Sequence, residues 1–292
     1  MKPCFVPTAS ALLLAATLLT PGLAGAVNLV PNPSFETIAS CPLGFGSLFV
    51  ATPWDAPTAG TSDALNACAV FGPFAPGVPY NALGNQVANT GVGYAGLIPY
   101  SAAPDYREYL QAPLNSPLVA SATYAVSFYV SLADTCNVAV DRLGAYFPVG
   151  PVGPLVTNTT LLVTPQFETP ANTFLNDKTN WILVSGTFVA AGGESHIVIG
   201  SFRDDASTNL EPQPENWPGA YYYIDDVTVE LMPAAVDQAC CLPDATCTLL
   251  TPGECTLSGG TPMGAETGCN PNPCSPVPTR KSSWGALKSI YR

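Results

Sequence analysis

Apolar residues in this chain come in short runs broken by Pro, Gly and Asn, and between Val27 and Leu231 no helical period is sustained over three turns. Four runs have the length and the β-branched and aromatic content of buried strands: Tyr124–Leu132, Trp181–Val189, His196–Phe202 and Tyr221–Val229. Side chains alternate along a strand, so at least one of Tyr221, Tyr222 and Tyr223 is expected to be buried. Pro73–Tyr80 and Phe147–Thr157 carry Pro-Gly-Val and Pro-Val-Gly triplets, which cannot continue a ladder, and read as long loops. The pattern predicts an all-β fold: an antiparallel β-sandwich over 27–232, then a small disulfide-rich C-terminal module over 233–274.

Composition supports this. The 292 residues include 31 prolines and 25 glycines, and only 10% are charged, too few for the wet faces of long helices. The net charge of −12 leaves no Lys/Arg footprint of the kind a phosphate backbone requires, so nucleic acid is excluded as a partner. Between Val27 and Thr279 there are four basic residues, Arg107, Arg142, Lys178 and Arg203, against 21 acids.

Residues 1–26 read as a secretory signal of bacterial type: Lys2, an apolar stretch from Ala11 to Leu19, Pro21-Gly22, and Ala24-Gly25-Ala26 as the cleavage site. The apolar stretch is well short of the ~20 residues that span a bilayer, and no later segment is apolar enough to do so. A secreted or cell-surface location follows, and export favours disulfides. Cys41 and Cys68 lie in loop-like sequence and are expected to pair, leaving Cys136 free. Cys240, Cys241, Cys247, Cys255, Cys269 and Cys274 crowd into a segment too short to bury a core, so three bridges are expected to hold it. Fifteen pairings are open; only the vicinal one is strained.

Three motifs carry a resemblance. Asn28-Leu-Val-Pro-Asn-Pro-Ser-Phe-Glu36, Arg107-Glu-Tyr-Leu-Gln111 and Tyr222-Tyr-Ile-Asp-Asp-Val-Thr-Val229 resemble family 4 and 9 carbohydrate-binding modules, which are galactose-binding-like jelly rolls. The likeness is greatest to a variant in secreted bacterial surface proteins, in which Cys41-Pro, Trp54, Pro57-Thr58, Asn66-x-Cys68 and Ser131-Leu-Ala-Asp134 recur. It covers Val27 to Leu231. The six-cysteine segment resembles a small repeat found after many bacterial secreted domains. The resemblance implies a structural Ca2+ tying the first strand to the last through Glu36 and Asp225 or Asp226, hard oxygen ligands of the type calcium takes. In a regular strand only one of the two aspartates faces the ion, and Asp226 is preferred.

Sugars are held by aromatic stacking and planar hydrogen bonds. Trp54, Tyr80, Tyr106 beside Arg107, and Trp217 are flanked by polar and turn residues and are the candidates for that surface. Catalytic machinery is sparse. His196 is the one histidine, Cys136 lacks a basic neighbour in sequence, and zinc sites fail for want of histidines. Paired carboxylates remain, with Asp105/Glu108, Asp204/Asp205 and Glu211/Glu215 as candidates for a glycosidase. Residues 275–292 are a linker and basic tail, in which Trp284, Leu287, Lys288 and Tyr291 fall on one helical face. The tail resembles sorting or anchoring tags of secreted bacterial proteins and would engage that machinery. The expected function is a non-catalytic, secreted or cell-surface module binding a polysaccharide or another surface component, with a structural or adhesive protein as the alternative.

Overall fold

The computed structural model describes residues 26–69, 72 and 75–274. The signal segment and the tail lie outside the described residues, apart from Ala26. Two antiparallel sheets form the body. The first has five strands in the order β1 (Asp63–Asn66), β2 (Gly93–Ser101), β9 (Gly219–Leu231), β4 (Thr123–Leu132) and β7 (Ile182–Val189). The second has four, in the order β3 (Tyr109–Pro113), β8 (His196–Gly200), β5 (Gly144–Tyr146) and β6 (Phe167–Glu168).

Period-2 alternation builds the core. Along β4, Tyr124, Val126, Phe128 and Val130 are buried, while the residues between them are half-buried. Together with Ile197 and Ile199 of β8 and Leu110 and Ala112 of β3 they form one hydrophobic cluster between the sheets. Each such side chain contributes about 1.5–3 kcal/mol relative to exposure. The run in β8 is continuously apolar because Val198, on the opposite face, packs with Tyr109, Leu161 and Phe202 in a second cluster.

β9 is covered on both faces, and all three of its tyrosines are buried. Tyr221 donates to Asp63 (2.7 Å), Tyr223 donates to Asn81 (2.9 Å), and the Tyr222 hydroxyl accepts from the Val140 amide (3.0 Å). A hydroxyl partner for each offsets the cost of burying it.

Cys41 is bonded to Cys68, and Cys136 is free and buried. Its sulfur accepts from the Tyr221 amide at 3.1 Å, and burial pushes the thiol up to about 12. Beyond Leu231 a three-stranded sheet, β10 (Gln238–Cys241), β11 (Cys247–Leu250) and β12 (Thr261–Pro262), and one helix, α1 (Pro252–Leu257), are closed by Cys240–Cys255, Cys241–Cys274 and Cys247–Cys269. The helix starts at a capping box: Thr251 accepts from the Glu254 amide, and Glu254 accepts from that of Thr251. Among the described residues no helix is long and apolar enough to cross a membrane.

Candidate functional site

The five candidate ligand residues do not form one platform. Trp54 is 1% exposed; its ring lies 4.8 Å from that of Phe35, and its Nε1 donates to the Asn32 carbonyl at 2.9 Å. It is a core residue, because the turn residues around it fold inward over the first motif. Arg107 is fully buried, ion-paired with Asp205 at 2.9 Å, and 5.7 Å above the Tyr100 ring. No donor of that guanidinium faces solvent sugar. Tyr106 is half-buried with its hydroxyl committed to Glu108 at 2.6 Å. Tyr80 is exposed and lines a separate recess of about 140 Å3. Trp217 alone stands at the centre of open volume.

The volume around Trp217 consists of neighbouring recesses. One, of about 340 Å3, is lined by Phe45, Thr61, Asp63, Ile98, Glu108 and Tyr221 together with Ala82, Leu83 and Trp217. Another, wider and of about 690 Å3, shares Ala82 and Trp217 with it and continues past Asp134, Glu215 and Asn216. A third shares Asp134 and is lined by Gln86, Asn85 and Lys178. Trp217 therefore borders both of two neighbouring recesses, taken together as a groove.

Local structure explains how these residues meet. The Cys41–Cys68 bond fastens the segment that carries Phe45 to the end of β1. A short hairpin, Tyr80–Asn81 with Gly84–Asn85, brings Ala82 and Leu83 across. Gly96 on β2 makes room for Tyr221: a Cβ there would lie 1.8 Å from the tyrosine oxygen. Gly219 does the same for Trp217, whose ring would be 2.7 Å from an added Cβ.

Two acids line the first compartment, Asp63 from β1 and Glu108 just before β3, a pair that no sequence spacing joins. Asp63 is 2% exposed and accepts from the Gly46 amide and the Tyr221 hydroxyl. Glu108 is 1% exposed; its Oε1 accepts from Tyr106, the Thr61 amide (3.0 Å) and the Thr61 hydroxyl (2.9 Å), and its Oε2 from the Ile98 amide (3.0 Å). Burial, with the charge of Glu108 adding to it, pushes the Asp63 carboxyl well above the usual range. Burial raises Glu108 too, against the opposing pull of its hydrogen bonds. Burial and the neighbouring Glu108 push the Tyr106 hydroxyl up to about 12. Fixed acceptors of this sort can orient a ligand's hydroxyl or ammonium groups. The other acid pairs behave differently: Asp105 and Asp205 accept from each other's backbone amides, and Glu211 accepts from the Asn176 side chain.

A second acidic cluster surrounds the turn at residues 89–93. Asp225 accepts from the amides of Asn89 (2.9 Å) and Thr90 (3.1 Å), Asp226 from the side chains of the same two residues (both 2.6 Å), and Glu36 from the amides of Val92 and Gly93 (both 2.9 Å). Both aspartates face the turn, contrary to strict alternation, because the ladder slips between Asp225 and Thr228 and Asp226 takes a left-handed φ of 48°. Burial, with Asp226 adjacent, pushes the Asp225 carboxyl up to about 7. No cluster of three or more acid, histidine or cysteine groups of metal-binding geometry occurs among the described residues. A cation here would draw on one or two carboxylates plus turn carbonyls, a hard-oxygen set that suits calcium.

No protein-family model and no curated protein matches the chain. Among solved structures it is similar to a Stig cyclase from Fischerella sp. TAU in complex with an indole compound (13% identity, 72% of this chain and 99% of that one, TM-score 0.44). It is also similar to the CBM22-1 xylan-binding domain of Xyn10C from Paenibacillus barcinonensis (14% identity, 69% and 93%, TM-score 0.37). The K1 cleaved adhesin domain of Lys-gingipain from Porphyromonas gingivalis W83 is a third (13% identity, 68% and 96%, TM-score 0.35). These are an enzyme, a glycan binder and an adhesin, so the chemistry of the groove is read from its own residues.

Proposed function

We propose that this protein is an extracellular, non-catalytic module that binds a polysaccharide in the groove crossed by Trp217. The observation that carries the reading is the half-buried Trp217 indole standing between two compartments that share it. An indole so placed offers an apolar face to a sugar ring, and the flanking Asn216, Glu215, Thr61 and Asp63 supply hydrogen-bonding groups on both sides. The resemblance to family 4 and 9 carbohydrate-binding modules supports a glycan ligand. Four disulfides among the described residues suit an oxidising, extracytoplasmic compartment. Calcium is part of the proposal: Glu36 and Asp226, with Asp225 behind them, would hold it against the 89–93 turn and so fix the first motif to the last strand.

A glycan array followed by calorimetry tests this. Wild-type protein is expected to bind at least one polysaccharide without releasing products, and Trp217→Ala to weaken that binding tenfold or more while circular dichroism is unchanged. A folded protein that binds no glycan would return the module to the structural or adhesive alternative. Sugar released from a bound polysaccharide would make Asp63 and Glu108 catalytic instead.

A further inference from the structure

The compartment between Trp217 and Glu108 has an unusual charge economy. It is a cavity of about 340 Å3, in the range of ordinary small-ligand pockets and large enough for one sugar ring. Phe45, Tyr221 and Trp217 supply aromatic surface, with the rings of Phe45 and Tyr221 edge to face at 6.4 Å. Asp63 and Glu108, each at least 98% buried, form the polar wall. No cation answers them. All four basic residues among the described residues are engaged elsewhere: Arg107 with Asp205, Arg142 and Arg203 with Glu168, and Lys178 with Glu215. The single histidine, His196, bonds to Ser195 and feels the charge of Asp55.

Two buried acids with no counterion are costly to ionise together, and an incoming cation stabilises the ionised pair. The hydrogen bonds already made do not exhaust them. Each Asp63 oxygen accepts one bond, and so does Glu108 Oε2, and a carboxylate oxygen has room for two acceptor directions. An ammonium has three donors and is attracted to aromatic faces as well. We propose that this compartment receives a primary ammonium group borne on a sugar ring, so that the groove selects polysaccharides containing a non-acetylated aminosugar over neutral or anionic ones. The inference rests on the reading of the groove as a glycan site. An N-acetyl group would remove the charge and two of the donors, and a uronate would set a third negative charge beside the pair.

The test uses the whole mature protein and three oligosaccharides of one length and linkage, β-1,4-linked tetramers of glucosamine, N-acetylglucosamine and glucose, titrated calorimetrically near neutral pH in low salt. The glucosamine tetramer is expected to bind at least tenfold tighter than either of the others. Glu108→Gln and Asp63→Asn, each checked for folding by circular dichroism, are expected to reduce the preference for the glucosamine tetramer over the glucose tetramer to less than threefold. Equal binding of all three, or preference for the acetylated or neutral one, overturns the inference and leaves the glycan reading in place. A preference that survives both substitutions overturns the assignment to this compartment. If no tetramer binds and no array glycan binds either, both readings fall together.

Discussion

The same residue type does opposite work at two places on this sandwich. Around the 89–93 turn, Glu36, Asp225 and Asp226 all accept from amides and side chains of one turn. In the groove, Asp63 and Glu108 are more deeply buried than Glu36 and Asp226, and they border empty volume. The first set closes the fold by joining the N-terminal motif and the last strand to one turn. The second set is held rigidly by Tyr221, Thr61, Tyr106 and Ile98 and left with capacity to spare. What separates a structural carboxylate from a recognition one here is whether it joins chain segments at a turn or borders open volume.

Substitutions should separate the two sites, and the largest effect is expected at the turn. Asp225→Ala removes the acceptor for the Asn89, Thr90 and Asp226 amides, and hydrogen bonds to a charged group contribute about 1.5–3 kcal/mol each. A loss of at least about 3 kcal/mol in urea denaturation is expected, against less than about 1 kcal/mol for Asp63→Asn, in which both hydrogen bonds can be remade. Replacing Cys41 and Cys68 together by Ser opens a bridge spanning 27 residues, for an expected loss of about 2–4 kcal/mol. It should also weaken ligand binding, since Phe45 loses its fastening, whereas opening Cys247–Cys269 in the C-terminal module should leave binding unchanged. Calcium at a hundred times its Kd should add about 2.7 kcal/mol, or about 5–10 °C in Tm for a domain of this size. EDTA should reverse that shift, and Glu36→Gln together with Asp226→Asn should abolish it.

The smallest effect is a pH dependence. A carboxyl whose pKa is raised on folding adds stability that is complete below its unfolded pKa, near 4, and is lost as pH climbs through the raised folded value. Asp63 and Glu108 are both raised by burial. Ligand-free protein should therefore lose stability as pH rises above about 4, and Asp63→Asn should flatten that slope. An unchanged slope in the variant would mean that Asp63 does not titrate in this range.

The sandwich was legible because its strands are long enough to show their period: the four runs read from sequence correspond to β4, β7, β8 and β9. The groove was not, for specific reasons. Trp54 and Trp217 stand in similar turn sequence, Pro-Trp-Asp and Asn-Trp-Pro, and only tertiary packing against Phe35 makes the first a core residue. Asp63 and Glu108 are far apart in the chain, so no spacing rule joins them. A faint signal existed, since Asp63 opens the strand Asp63–Asn66, which is buried throughout, and an acid there needs a special partner. The aspartates of β9 defeated the alternation rule because a bulge is a backbone property that Ile-Asp-Asp-Val does not advertise.

The most direct test of the central claim is a heteronuclear spectrum of the tryptophan indole groups during titration with a polysaccharide that the protein binds. Trp54 Nε1 is bonded to Asn32 inside the core, and Trp181 Nε1 is bonded to Val87, whereas Trp217 borders the groove. The account predicts that the Trp217 indole resonance moves with saturation while that of Trp54 stays in place, and that Asp63→Asn alters the Trp217 shift but not the Trp54 position. Saturable binding that leaves the Trp217 resonance unmoved would contradict it.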